Sequence, residues 1–265
     1  MDVAALDGAD LGTRLVTYTD RDAILYALAV GAGVDTLDLV FECELRVLPT
    51  FALTFGVWAC DEAGRLGGYD RSRALHGAQT LRVHAPLPPA GEILTAGRVT
   101  GVWDKGRSAV VDVQVESGYF TAVYSLFLRG YGGWGGPRGP STVAPELPGA
   151  SRLGGYRTSP EQAALYRLTG DREPLHIDPA TARRASFDRP ILHGLCTLGI
   201  AAREVASAAG AHPADLRELA ARFAAPVVPG DTVEVVGVVA EDVRFEAKAR
   251  DAVVLAAGQA GFAPR

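Results

Sequence analysis

Cysteine is scarce in this chain, basic residues are not in excess, and no apolar run approaches the length of a membrane span. Each shortage removes a class of function. The three cysteines, Cys43, Cys60 and Cys196, are odd in number and widely spaced. They form neither a CxxC pair nor a disulfide framework, so they read as reduced thiols of a cytoplasmic protein, and no metal site is expected. With 26 Lys and Arg against 31 Asp and Glu the net charge is −5, which leaves no basic footprint for nucleic acid. No segment is apolar enough for a membrane helix. The start, MDVAALDGADLG, is acidic and has neither the basic region nor the apolar stretch of a signal peptide.

What is present is a chain of 265 residues, 48% apolar, enough for one large domain or two small ones with real cores. One segment is compositionally biased, RGYGGWGGPRGPSTVAPELPGA at 129–150, whose glycines and prolines sustain neither helix nor strand. Taking 131–150 as a linker leaves units of 1–130 and 151–265. The two units repeat each other. ILYALAVG (24–31) matches ALYRLTGD (164–171), with Leu25, Tyr26 and Leu28 against Leu165, Tyr166 and Leu168, 140 positions apart. Pro86 and Pro89 match Pro226 and Pro229 at the same offset, and PTFALTFG (49–56) lies near PILHGLCTLG (190–199) with a short slip.

Each unit reads as a short helix, then a proline-led apolar helix, then strands. The short helices are RDAILYALAV and SPEQAALYRLT, the latter with Ser159 as cap and Pro160 at its first position. The long helix of the second unit is expected to open at Pro190, with Leu192, Leu195, Leu198 and Ile200 on its apolar face and Gly210 near its end. β-Branched alternation marks strands in ILTAGRVTGVWD, SAVVDVQVESG and FTAVYSLFLRG, and again in LAARFAAPV, TVEVVGVVAED, VRFEAKARD and AVVLAAGQAGF. A long helix wrapped by an antiparallel sheet, twice, is an α+β layout.

Only the second unit carries polar chemistry at the repeated positions. LYRLTGDREPLHIDP (165–179) places Asp171 and His176 five residues apart across a Gly-Asp turn and a proline, and the first unit has no equivalent. A pair of this kind divides proton donation and acceptance between two groups. The division of the duplication suggests that one unit reacts and the other makes room for substrate. Phe51, Phe55 and Trp58 of the first unit then either line a substrate tunnel or fill the core; the core reading is preferred. Tyr166 and Leu168 are expected in the core, and Asp178 as the cap of the helix PATARRAS.

The string Tyr166, Leu168, Thr169, Gly170, Asp171, Pro174, Leu175, His176 resembles the signature of the MaoC-type, hydratase 2 family of enoyl-CoA hydratases. RPILHGLCTLGIAAR (189–203), RFAAPVVPGDT (222–232) and LHGAQTLRVHAPLPPAGE (75–92) are similar to that family too. The resemblance covers most of the chain and implies a double hot-dog fold. It also implies interconversion of trans-2-enoyl-CoA and (3R)-3-hydroxyacyl-CoA, with Asp171 and His176 as the catalytic pair. The substrate is then an acyl-CoA or acyl-carrier-protein thioester, whose pantetheine belongs to the substrate, so no cofactor is expected; a homodimer is. The backbone N–H of Gly194 is implied as the oxyanion donor. Just after Pro190, a helix start points N–H groups outward, and glycine lets a thioester approach. His193 either donates to substrate or packs at the helix start. Arg183, Arg184 and Arg189 either meet CoA phosphates or form a solvated helix face. The chain departs from the family at Glu173, where the family has Asn. A carboxylate there repels an ionised Asp171 and favours its protonated form, which either suits a proton donor or spoils water placement; alternatively it turns outward to an arginine. Two other functions stay open: acyl thioester hydrolysis, disfavoured because PILHGLCTLG has no acid, and acyl binding without catalysis.

Overall fold

The computed structural model describes residues 2–70, 73–140 and 146–263. Among these residues ten strands form one antiparallel sheet: β1 (Asp10–Tyr18), β2 (Ala74–Val83), β3 (Gly91–Asp104), β4 (Ser108–Glu116), β5 (Phe120–Arg129), β6 (Ser151–Arg157), β7 (Leu216–Phe223), β8 (Thr232–Val239), β9 (Val243–Ala249) and β10 (Ala252–Phe262). Their order across the sheet is β1-β3-β4-β5-β2-β7-β10-β9-β8-β6. Read inward from either edge, the order within each half is the same. The two units are therefore related by a pseudo-twofold axis through the β2–β7 pair, where Thr80 faces Ala220 and Arg82 meets Glu218 at 3.1 Å. Seven of these strands follow from the alternation in the sequence. β1, β2 and β6 do not.

Among the described residues six helices accompany the sheet: α1 (Asp20–Ala29), α2 (Leu37–Val40), α3 (Val57–Arg65), α4 (Gln162–Tyr166), α5 (Pro179–Arg184) and α6 (Gly194–Ala208). α1 opens with a reciprocal cap between Thr19 and Asp22. α6 is the long helix of the second unit, and its Leu198, Ile200, Ala201 and Val205 are fully buried against the sheet. Burying each such leucine or isoleucine contributes about 1.5–3 kcal/mol before entropy is subtracted.

The sequence-based outline needs four corrections. α6 begins at Gly194, not at Pro190, because the Leu192 N–H donates to the Val227 carbonyl at 2.7 Å and holds the preceding residues extended. The first unit lacks a matching long helix: Pro49–Gly56 is a 3-10 segment leading into the nine-residue α3. Within it Thr54 donates its hydroxyl to the Phe51 carbonyl three residues back, at 2.9 Å, a bond that suits the tighter turn. Ser159 does not cap α4. Its N–H donates to Gln162 Oε1 at 3.0 Å, and the buried Gln162 passes its Nε2–H to the Ala29 carbonyl at 2.6 Å, tying the units together. Leu168 is exposed at 53%, whereas Tyr166 is fully buried. Phe51 and Phe55 are buried among the rings of Tyr18 and Tyr26, so they fill the core.

No helix or strand occurs among the described residues between β5 and β6, and 141–145 of the expected linker lie outside the described residues. Residues 131–140 are nonetheless clipped to the β3–β4 turn. The Asp104 carboxylate accepts N–H bonds from Gly106, Gly133 and Gly135 at 2.8–2.9 Å, which holds its pKa below the usual carboxylate value, and Lys105 donates to the carbonyls of Arg138 and Pro140.

Candidate active site

The Asp171–His176 stretch is shaped by its own local chemistry. A 3-10 turn, Arg167–Thr169, ends at Gly170 with φ of 135°, a conformation that side chains disfavour. The chain then turns through Asp171, whose Oδ1 accepts the Glu173 N–H at 3.2 Å. Pro174 starts a second 3-10 turn, Pro174–His176, which presents the imidazole. Asp178 closes the segment as the cap of α5, accepting from the N–H groups of Ala180 and Thr181 at 3.0 and 2.9 Å, so its structural reading holds.

His176 and Asp171 come together with His193. One ligand-capable atom from each lies within 4.8 Å of the others. His176 Nδ1 is 2.9 Å from the Ile191 carbonyl, which only accepts; Nδ1 must carry the proton, and in the neutral ring Nε2 is left as a bare lone pair. His193 Nε2 donates in the same way to the Asp171 carbonyl at 3.1 Å. The two imidazoles stack with centroids 3.8 Å apart and planes 29° from parallel. Lone pairs lie in the ring planes, so stacked rings do not converge on one ion, and the trio is poorly arranged for a metal. His193 is 1% exposed. Burial, and then the neighbouring His176, push its pKa down to about 2, so it stays neutral. It packs beneath His176 and holds the Asp171 backbone, rather than reaching into the cleft.

The pair opens on a cleft of about 1080 Å³ with walls from both units. The first unit contributes Val57 and Cys60 of α3, β2 around His76, and Tyr124 and Leu126 of β5; the second contributes 170–176, the start of α6 and Phe223–Val227. Gly194 is the first residue of α6 and lines this cleft, where the first N–H groups of a helix have no intrahelical acceptor. A Cβ on Gly194 would lie 3.0 Å from the Phe223 ring, so glycine also admits that ring. Glu173 lines the cleft, is exposed, and has no ion-pair partner among the described residues; the outward pairing with an arginine is not formed there. Arg183, Arg184 and Arg189 are exposed and do not line the cleft. Arg184 folds back onto its own helix, 2.8 Å from Thr181 Oγ1. The cations that do line it are Lys105, Arg172 and Arg222.

Sequence reasoning missed the Ile191 carbonyl, whose role depends on backbone placement, and His76. The His76 ring packs at a tilt against Phe223, centroids 4.7 Å apart, and against Tyr124 at 5.8 Å. Although the residue is half-buried, its Nε2 is sealed from solvent, and burial lowers its pKa to about 4. The signal was the His-Gly in LHGAQTLRVHAPLPPAGE, noted as family-like but given no role.

Two family models match the chain: a MaoC like domain over residues 145–258 and an MFE-2 hydratase 2 N-terminal domain over 16–129. Over 253 residues the chain is 42% identical to 3-hydroxyacyl-thioester dehydratase Y of Mycobacterium tuberculosis, covering 86% of this chain and 84% of that one. It is 36% identical to the peroxisomal enoyl-CoA hydratase 2 of Arabidopsis thaliana, covering 82% and 80%. A crystal structure of a MaoC-like dehydratase from Phytophthora capsici superposes with a TM-score of 0.85 at 26% identity, covering 99% of this chain and 98% of that one.

Proposed function

The chain belongs to the MaoC-like, hydratase 2 family, and from that premise we propose that it is a hydro-lyase interconverting trans-2-enoyl and (3R)-3-hydroxyacyl thioesters. The observation that carries the reading is the His176 Nδ1–H bond to the Ile191 carbonyl, which leaves Nε2 as the lone pair of a ring that lies close to the Asp171 carboxyl. In hydration, Nε2 accepts a proton from the water whose oxygen bonds to C3. The C2–C3 double bond opens, negative charge moves onto the thioester oxygen, and the Gly194 N–H stabilises it. Collapse of that enolate takes a proton at C2 from the Asp171 carboxyl. The proton held by His176 returns to Asp171 through the next water, and dehydration runs the same steps backward.

The thioester brings its own pantetheine, on CoA or a carrier protein, and no other cofactor enters these steps. The first unit supplies the facing wall of the cleft, part apolar and part polar, and the second unit the reacting groups. Hydrolysis is disfavoured by the helix itself. The one acid of α6, Glu204, is engaged with the Gly155 N–H at 2.9 Å, away from the cleft. The test is an assay of the purified protein with crotonyl-CoA and longer enoyl-CoAs. Loss of the conjugated absorbance with the thioester intact is the expected result. Release of free thiol would mean hydrolysis, and binding with neither change would mean an acyl-binding protein.

A further inference from the structure

Behind the catalytic pair lies a set of buried polar atoms that the proposed mechanism does not use. His193 Nε2 must donate to the Asp171 carbonyl, so Nδ1 of the neutral ring is an acceptor. That Nδ1 is sealed from solvent and has no hydrogen-bond partner among the described residues. The Tyr166 hydroxyl, on α4, is sealed and unpartnered in the same way, and the Tyr26 hydroxyl, on α1, is sealed beside the Thr50 side chain. The Tyr166 ring lies 4.8 Å from the His193 ring and 6.0 Å from the Tyr26 ring. Gly199 of α6 completes the enclosure. A Cβ there would come within 2.9 Å of the Tyr26 hydroxyl, so the glycine leaves room for that group.

The three atoms have complementary needs: one bare acceptor and two hydroxyls, each able to donate and accept. Buried polar groups in folded proteins are satisfied almost without exception, and an internal water commonly makes about three such bonds. We propose that Tyr166 and Tyr26, through one internal water, hold His193 in its Nε2–H form, making Tyr166 a positioning residue for the Asp171 turn. Tyr166 donates toward Nδ1, Nε2–H fixes the Asp171 carbonyl, and the His193 ring supports His176 from below. Burial suppresses ionisation of both tyrosines and of His193, so the chain of bonds keeps one proton arrangement across the working pH range. Without the tyrosine donor, His193 is free to move its proton to Nδ1. The Asp171 carbonyl then loses its partner, and the turn carrying the acid loosens. The inference rests on the hydratase reading for its kinetic arm only.

The test pairs kinetics with nitrogen-15 NMR of histidine-labelled protein. In wild type, His193 should show Nε2 protonated and Nδ1 as a hydrogen-bonded lone pair, unchanged from about pH 5 to about pH 9. In Tyr166→Phe the Nδ1 resonance should move toward a free lone pair or a mixture of tautomers. kcat for enoyl thioester should fall on the order of tenfold to a hundredfold, with KM nearly unchanged. His193→Gln, which keeps a donor for the Asp171 carbonyl, should retain more activity than His193→Phe. A wild-type His193 protonated at Nδ1 overturns the proposal, and so does a Tyr166→Phe protein with an unchanged His193 signal and wild-type kcat. The wild-type spectrum decides even if the variant fails to fold, and it needs no turnover, so it separates this proposal from the choice of reaction.

Discussion

At the residue scale, the site depends on which nitrogen of each ring is occupied. His176 gives Nδ1–H to Ile191 and His193 gives Nε2–H to Asp171, so two similar side chains, stacked face to face, serve opposite ends of one turn. Glu173 is the residue that departs from the family pattern, and it stands exposed on the cleft wall two positions from Asp171. A CoA thioester is polyanionic, so this carboxylate opposes its approach. Glu173→Asn should therefore raise kcat/KM for enoyl-CoA at low ionic strength, by about twofold to tenfold, and the gain should fade as salt is added. Steady-state rates at two salt concentrations check this. A salt-independent loss of activity would instead give Glu173 a direct part in the chemistry. The Asp171–His176 pair was legible in the sequence because it is local: five positions, one glycine, one proline. The Ile191 carbonyl was not, since it reaches His176 only after the chain has folded back across fifteen residues.

At the element scale, α6 is the frame on which the reacting groups are hung. Its first turn presents Gly194, the residue before it is His193, and its interior face is buried from Leu195 onward. Leu198→Ala should destabilise the protein by about 2–5 kcal/mol through the cavity it leaves, measured as a shift in the urea midpoint at constant slope. A change below about 0.5 kcal/mol would show that the helix is not packed as described. The strands that could be read in advance are those with β-branched alternation, such as TVEVVGVV and SAVVDVQVE. β2 (ALHGAQTLRV) and β6 (SRLGGYR) were missed because glycines and polar residues interrupt the period, and both ladders carry a register shift at those glycines. The start of α6 was misplaced for a related reason. Pro190 is a strong local signal, but the long-range bond between Leu192 and Val227 overrides it.

At the scale of the whole molecule, the pseudo-twofold arrangement puts the cleft beside the β2–β7 seam, with the Asp171–His176 pair on one side and a wall of mixed polarity from the first unit on the other. Two histidines, the half-buried His76 and the buried His193, belong to the two units, and both have pKa values depressed by burial, to about 4 and about 2. In the unfolded chain both rings take up a proton as pH falls through the ordinary histidine range, while in the folded protein they resist. Their contribution to stability is intact above about pH 6.5 and is lost as pH falls, at about 1.4 kcal/mol per pH unit for each ring. Between about pH 6.5 and pH 5 the urea midpoint should therefore drop, and His76→Phe should reduce that slope by about half. A slope unchanged in the variant would place the His76 ring in contact with solvent.

The central claim is that His176 acts as a base through Nε2 while Nδ1 serves only to aim it. His176→Asn separates the two, because the asparagine amide keeps an N–H for the Ile191 carbonyl and has no basic nitrogen. The direct measurement is kcat for crotonyl-CoA hydration in this variant, with urea unfolding as the control for fold. The account predicts a loss of about 10²- to 10⁴-fold in kcat, a nearly unchanged KM and an unfolding midpoint close to wild type. Turnover within a few-fold of wild type, in a protein that is equally stable, would contradict it.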